Sequence, residues 1–297
     1  GEGKKDYVFI ASLVVLVGVF LFFLLSTNIF GVEPLIKLRV ENSAVKYEIN
    51  PSFLSLFKNE KVQFAPDFSL CNVINNQGMT VLTSNVSCIL VNSSNSIIDC
   101  AGWWLNPTGD AGGINIFEKQ NVTVRNCAIW KSGGYGVYIN NSVKVFVFNN
   151  SLFMSGMLLN NVNNSLLANN SISGSLVFNG FEIFNSINNS FISNILSSSK
   201  MLKGFFVGTG NAFNNFNYNN IVVNETGFDI YSDIPCSKSG PPCIVRTNNS
   251  FQYNKITALT GIKLNDIYAY DVLVAHNNIS GSKLGLNVSD GLITFYD

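Results

Sequence analysis

Glu182 and Asp229 are the acids of this chain whose placement repeats, and a pair of carboxylates is what acid and base work on a glycosidic bond requires. They fall in one recurring position that also holds Asn115, Tyr138, Leu158, Phe206, Lys263 and Asn287. If that position stacks strand over strand, two rungs separate the acids, roughly 10 Å, with Phe206 between them and Lys263 beside Asp229. A calcium site needs more acidic oxygens than that. The pattern reads as a solvated ion pair of Asp229 with Lys263 and a stray acid at Glu182, not as an active site. Asp266 follows Asn265 with no second acid near it and reads as a surface turn. The single histidine, His276, reads as a turn residue and not as a base. Trp103 and Trp104 can stack on a sugar ring, yet covering the first coil is their expected role, because the end of a solenoid exposes core. No catalytic residue, metal ligand or cofactor is predicted, and the chain reads as non-enzymatic.

The cysteines are Cys71, Cys88, Cys100, Cys127, Cys236 and Cys243. None sits in a CxxC pair or beside a histidine cluster, so zinc is not expected. In an exported chain an even set reads as disulfides, with buried free thiols as the other reading. Cys236 and Cys243 bracket an insertion holding Pro235, Pro241 and Pro242, and a bond between them would clamp it. Cys100 and Cys127 lie about one repeat apart and can bridge adjacent turns, while Cys71 and Cys88 would close the segment before them. Six cysteines permit fifteen connectivities, of which this is one. Asparagines in acceptor tripeptides for N-glycosylation are Asn85, Asn92, Asn121, Asn140, Asn149, Asn163, Asn169, Asn188, Asn224, Asn248, Asn278 and Asn287. Several are by-products of a repeated Asn-Asn-Ser, so each alone is a weak signal. As a set they predict N-linked glycans on an exported chain, except where the Asn points inward or stacks in a ladder.

Composition agrees with export. Of 297 residues 47% are apolar and only 12% charged, with zero net charge. Asn supplies the missing polarity at roughly one position in seven, far above its usual share. No basic stripe is present, so nucleic acid is not a predicted partner.

The elements that position these residues repeat. A Gly followed by alternating apolar residues recurs at Gly113, Gly136, Gly156, Gly180, Gly204, Gly227, Gly261 and Gly285, in steps of 23, 20, 24, 24, 23, 34 and 24 residues. A period in the low twenties suits one coil of a parallel β-helix. A second marker follows at Cys127, Asn150, Asn170, Asn194, Asn219, Asn254 and Asn277. Two positions beyond each stands an apolar residue, Ile129 through Ile279, and three before each another, among them Phe191, Phe216 and Phe251. Stacked about 4.8 Å apart, these phenylalanines predict an internal aromatic stack. The Asn column is predicted to sit where the chain turns, tolerating the left-handed conformation and bonding amide to amide. The 34-residue step carries the insertion between Cys236 and Cys243.

Tyr7 to Leu25 is uncharged and long enough as a helix, about 28 Å, to span a bilayer core. Lys4 and Lys5 before it leave the N-terminus cytoplasmic and everything after Ser26 outside. A chain that opens at Gly1 and keeps this apolar run resembles the type IV pilins and the archaeal pilins and archaellins, although Gly-Glu-Gly-Lys-Lys-Asp precedes the apolar residues here. That resemblance implies a leader removed upstream and helices packed together as a filament core. Pro34 and Pro51 argue against one continuous helix through the stretch that follows. The predicted organisation is a hydrophobic helix over 1–27, a connecting segment over 28–69 and a β-helix over 70–297.

From Cys71 to Asn150, notably Val81-Leu-Thr, Cys88-Ile-Leu-Val, Ile98-Asp-Cys-Ala-Gly and Asn121-Val-Thr-Val-Arg-Asn-Cys, the chain resembles secreted right-handed parallel β-helix repeat proteins, common in archaea and related in fold to pectate lyases. The resemblance implies an all-β solenoid, a right-handed parallel β-helix of about nine coils. The first functional reading is a glycosylated, pilin-like subunit of an extracellular filament, its partners being copies of itself through the N-terminal helix and the membrane before assembly. A singly anchored adhesin or envelope protein is the second reading, and a polysaccharide-active enzyme the third.

Overall fold

The computed structural model describes residues 36–41, 44–49, 69–107, 112–130, 135–174, 179–231, 245–246, 248–265, 269–270 and 272–288. The expected N-terminal helix, the Cys236 and Cys243 insertion and Asp266 lie outside them. The chain divides into two compact units, Gly1–Ala65 and Pro66–Asp297. In the first, Ile36–Glu41 pairs antiparallel with Ala44–Ile49, a ribbon that the sequence reading left as a connecting segment.

The second unit is a parallel β-solenoid with three faces. Each turn lays one strand on each face, and each strand pairs in parallel with its equivalent one turn on. On the first face Ile89, Ile114, Val137, Met157, Phe181, Phe205, Phe228, Ile262 and Leu286 stand in one register column. On the second, Val124, Val147, Leu167, Phe191, Phe216, Phe251 and Val274 do so. On the third, the column runs from Ile129 through Leu152, Ile172, Leu196, Ile221 and Ile256 to Ile279. The last two are the apolar columns expected from the spacing. Complete three-stranded turns are slightly fewer than the nine or so expected, because the first turn closes its third face with a single bridge, Val86 to Leu105, and the last described turn stops on its first face.

The three inner columns meet in one core. Phe191, Phe216 and Phe251 stack with ring centroids 4.8 and 4.7 Å apart and nearly parallel planes. A second stack, Phe181, Phe205 and Phe228, meets the first edge to face at 5.0 to 5.8 Å. Each fully buried ring is worth about 2–3 kcal/mol by burial and each ring pair about 1 kcal/mol more. From Gly113 to Gly261 the marker glycines line the start of the first face because nothing larger fits. A Cβ on Gly204 would stand 2.6 Å from the Gly227 carbonyl oxygen, and one on Gly227 2.5 Å from that of Gly261.

The corner between the second and third faces corrects one expectation. The left-handed residue is the one before each ladder position, Cys127 included: Asn126, Asn149, Asn169, Ser193, Tyr218, Tyr253 and His276, with φ of 54 to 57°. That residue turns outward, and the next swings its side chain into the corner. There the Oδ1 of Asn194 accepts both the backbone N–H and the Nδ2–H of Asn170, at 3.0 and 3.1 Å. Its own Nδ2 donates to the Leu167 carbonyl and to Asn219 Oδ1. The pattern repeats from Asn150 to Asn277, so a turn whose backbone groups are closed to water keeps them bonded. A second interior ladder, unforeseen, joins Ser165, Asn189, Asn214 and Asn249 at the corner between the first and second faces.

Candidate functional site

Disulfides hold the first turns. Cys71 is bonded to Cys88 and Cys100 to Cys127, each pair joining successive rungs. Cys127 also donates its backbone N–H to Asn150 Oδ1 at 2.9 Å, so the second bridge extends the Asn ladder downward by covalent means. Closing loops of 17 and 27 residues removes about 3 kcal/mol of chain entropy each from the unfolded state.

The first-face outward column runs in register from Asn115 to Asn287 as the spacing required. Its acids, however, are not arranged as expected. Asp229 is buried, and its carboxylate pairs with Lys203 Nζ at 2.6 Å rather than with Lys263. It also accepts from Asn265 Nδ2 at 2.6 Å. Lys203 sits one rung away and lies over the Phe206 ring at 4.4 Å, so a long side chain reaching diagonally displaces the neighbour in register. Glu182 is no stray acid either: it accepts from the Tyr135 hydroxyl at 2.7 Å and from Asn179 Nδ2 at 2.9 Å. Burial, with the Glu182 carboxylate second, pushes the Tyr135 phenol well above its ordinary pKa, and burial raises Tyr138. At the end of the second face Asp99 accepts from Asn126 Nδ2, the Ala101 N–H and Arg125 Nε. These bonds, led by that of Asn126, hold its carboxyl below the ordinary value of 3.8. Each of these carboxylates is thus held by partners suited to binding two turns together, with no carboxylate opposed to another across open space.

His276 stacks on Tyr253 at 4.9 Å, and Tyr253 on Tyr218 at 5.0 Å, an outward stack at the left-handed corner position. Among the described residues no group of three or more His, Cys, Asp or Glu is placed to hold a metal ion, and no helix is long and apolar enough to cross a membrane. A groove of about 520 Å³, lined by Ser197, Ser199, Val222, Asn224, Thr257 and Ser280, runs along one edge of the third face.

Trp103 and Trp104 do not cover the first coil. They are 40% and 46% exposed, and Trp104 opens an outward aromatic patch on the third face. Trp104 stands in register with Ala128, whose small side chain lets the indole lean toward Trp130, with centroids 5.9 Å apart. Trp130 packs in turn on Phe153 at 4.2 Å. Small residues continue this face: Ser151 and Ser171 beyond Ala128, Ser173 and Ser197 beyond Phe153. No sequence signal joined Trp130 to Trp104, because the contact is diagonal and skips the register.

None of the twelve acceptor asparagines is buried. In Asn149-Asn-Ser, Asn169-Asn-Ser, Asn188-Asn-Ser and Asn248-Asn-Ser the first Asn takes the left-handed outward position and the second enters the interior ladder. The repeat that writes the acceptor tripeptide therefore also turns its acceptor to solvent.

No protein-family model matches the chain, and no curated protein does. Among solved structures, the crystal structure of PfbA, a surface adhesin of Streptococcus pneumoniae, is similar at 12% identity over 74% of each chain, with a TM-score of 0.26. A likeness of that degree says nothing of function.

Proposed function

We propose that this chain is a non-enzymatic structural protein of the cell surface, a glycosylated solenoid carried by its N-terminal apolar segment and polymerised through that segment into an extracellular filament. The observation that carries the structural reading is the use made of polar side chains. Asn ladders and the Asp229–Lys203 and Asp99–Arg125 pairs join one turn to the next, and the Tyr135–Glu182 bond spans two turns. Two disulfides do the same and suit an oxidising compartment. Twelve outward acceptor sites favour export, and the uncharged run from Tyr7 to Leu25 favours a filament core or membrane segment. Negative-stain images of material sheared from cells that produce the chain test the assembly. Filaments containing it are expected; recovery only as detergent-soluble monomers overturns the filament. Release of reducing or unsaturated sugars from polysaccharides by the purified chain would overturn the non-enzymatic reading.

A further inference from the structure

We propose that Asn85 carries an N-linked glycan whose first sugars lie on the aromatic patch formed by Trp104 and Trp130, covering it. The inference rests on the exported, glycosylated reading and adds where one glycan goes and what it touches.

The register places the two partners side by side. Val86 bridges Leu105 in parallel, so Asn85 and Trp104 are equivalent positions on adjacent rungs, about 4.8 Å apart on the outward side. Asn85 Oδ1 accepts the Trp104 backbone N–H at 2.9 Å, which fixes the plane of the carboxamide. Its Nδ2, the atom that takes the sugar, has no partner among the described residues. Other acceptors differ: Nδ2 of Asn92, Asn121 and Asn188 donates to an Asn of the rung before.

The patch suits a neutral sugar. Trp104 and Trp130 are 46% and 43% exposed, and their rings, with Phe153, offer tilted apolar faces to the C–H side of a pyranose. Ala128 beside them leaves room, Ser151 and Ser171 offer hydroxyls, and none of these positions carries charge. The transfer requires a lipid-phosphate-linked oligosaccharide as donor. Nδ2 forms the bond to the anomeric carbon as the bond from that carbon to the phosphate oxygen breaks. The lipid phosphate leaves with the electron pair, and Nδ2 loses one proton.

Trp104 and Trp130 are two of the chain's three tryptophans, Trp103 being the third, so its indole fluorescence reports largely on this patch. Glycopeptide mass spectrometry on the native protein should find Asn85 occupied. Ser87→Ala, which removes the acceptor tripeptide but keeps Asn85, should red-shift the emission and raise acrylamide quenching about twofold. Asn85→Gln should do the same, Ser87→Thr should leave both unchanged, and Asn278→Gln should have no effect. Glycans elsewhere with Asn85 bare would overturn this inference and leave the exported reading standing, whereas no glycan at any acceptor would remove both. Occupied Asn85 with unchanged emission in Ser87→Ala would overturn the contact. Quenching of the bare protein by free neutral oligosaccharides, with Asn85 unoccupied in native material, would instead make the patch a site for an external glycan.

Discussion

The interior amides are the residues on which the turns depend. Asn194 is buried and makes five hydrogen bonds, through its Oδ1, its Nδ2 and its backbone N–H. Asn194→Ala leaves the Asn170 N–H and the Leu167 carbonyl without these partners, in a corner closed to water. A loss of about 3 kcal/mol or more is expected from urea unfolding. Asn169 lies one residue before a ladder position, exposed and at φ 55°. Asn169→Gly should change stability by less than about 0.5 kcal/mol, since glycine takes that conformation freely. The contrast separates ladder bonding from turn conformation, the two roles that the sequence reading had assigned to one residue. It could not tell them apart because Asn, Ser, Tyr and His all occupy the left-handed position and no residue type marks it. Asp99 adds a pH dependence. Its carboxyl is held below 3.8 by Asn126, Ala101 and Arg125, so it stabilises the fold above that pH and the contribution is lost as pH falls through the lowered value. Between pH 7 and pH 3 the wild-type urea midpoint should drop by more than that of Asp99→Asn.

At the scale of the strand, legibility followed from stacking. Because one turn repeats the last at a fixed rise, inner residues form columns that a spacing analysis can find, as with Phe191, Phe216 and Phe251. Contacts that leave the register were invisible for the same reason: Lys203 reaches across to Asp229, and Trp130 leans toward Trp104. The ladder of Ser165, Asn189, Asn214 and Asn249 was missed because it mixes two residue types and lies among other asparagines. The marker glycines yield a strand-scale prediction. Gly204→Ala sets a Cβ 2.6 Å from the Gly227 carbonyl oxygen and 2.6 Å from Ile221 Cγ2, and a backbone oxygen inside a parallel ladder cannot withdraw. A cost of about 1–3 kcal/mol is expected, with faster amide exchange in Lys203–Val207 and Thr226–Tyr231. Gly285 fills the same column position on the last described rung, where a Cβ meets nothing within 4 Å. Gly285→Ala should therefore be neutral within about 0.5 kcal/mol, and an equal cost at both positions would show that the column is glycine for some reason other than the next rung.

At the scale of the molecule, the core decides what can fold alone. Its buried members run from Ile74 to Val272, all within the unit Pro66–Asp297, and each turn is stabilised by its neighbours rather than by distant parts of the chain. A protein comprising residues 66–297 is therefore expected to fold, with a β-type far-UV spectrum and a melting temperature within a few degrees of the full chain, since no described core residue is lost. The polymerising role proposed for the apolar run from Tyr7 to Leu25 requires the same fragment to stay monomeric in sedimentation where the full chain assembles. The two measurements bear on different claims. An unfolded fragment would mean that the first unit contributes to the solenoid's stability, and a folded fragment that still forms filaments would move the assembly contact onto the solenoid. Only folded monomers, set beside filaments of the intact chain, fit a molecule in which one segment assembles and the other is displayed.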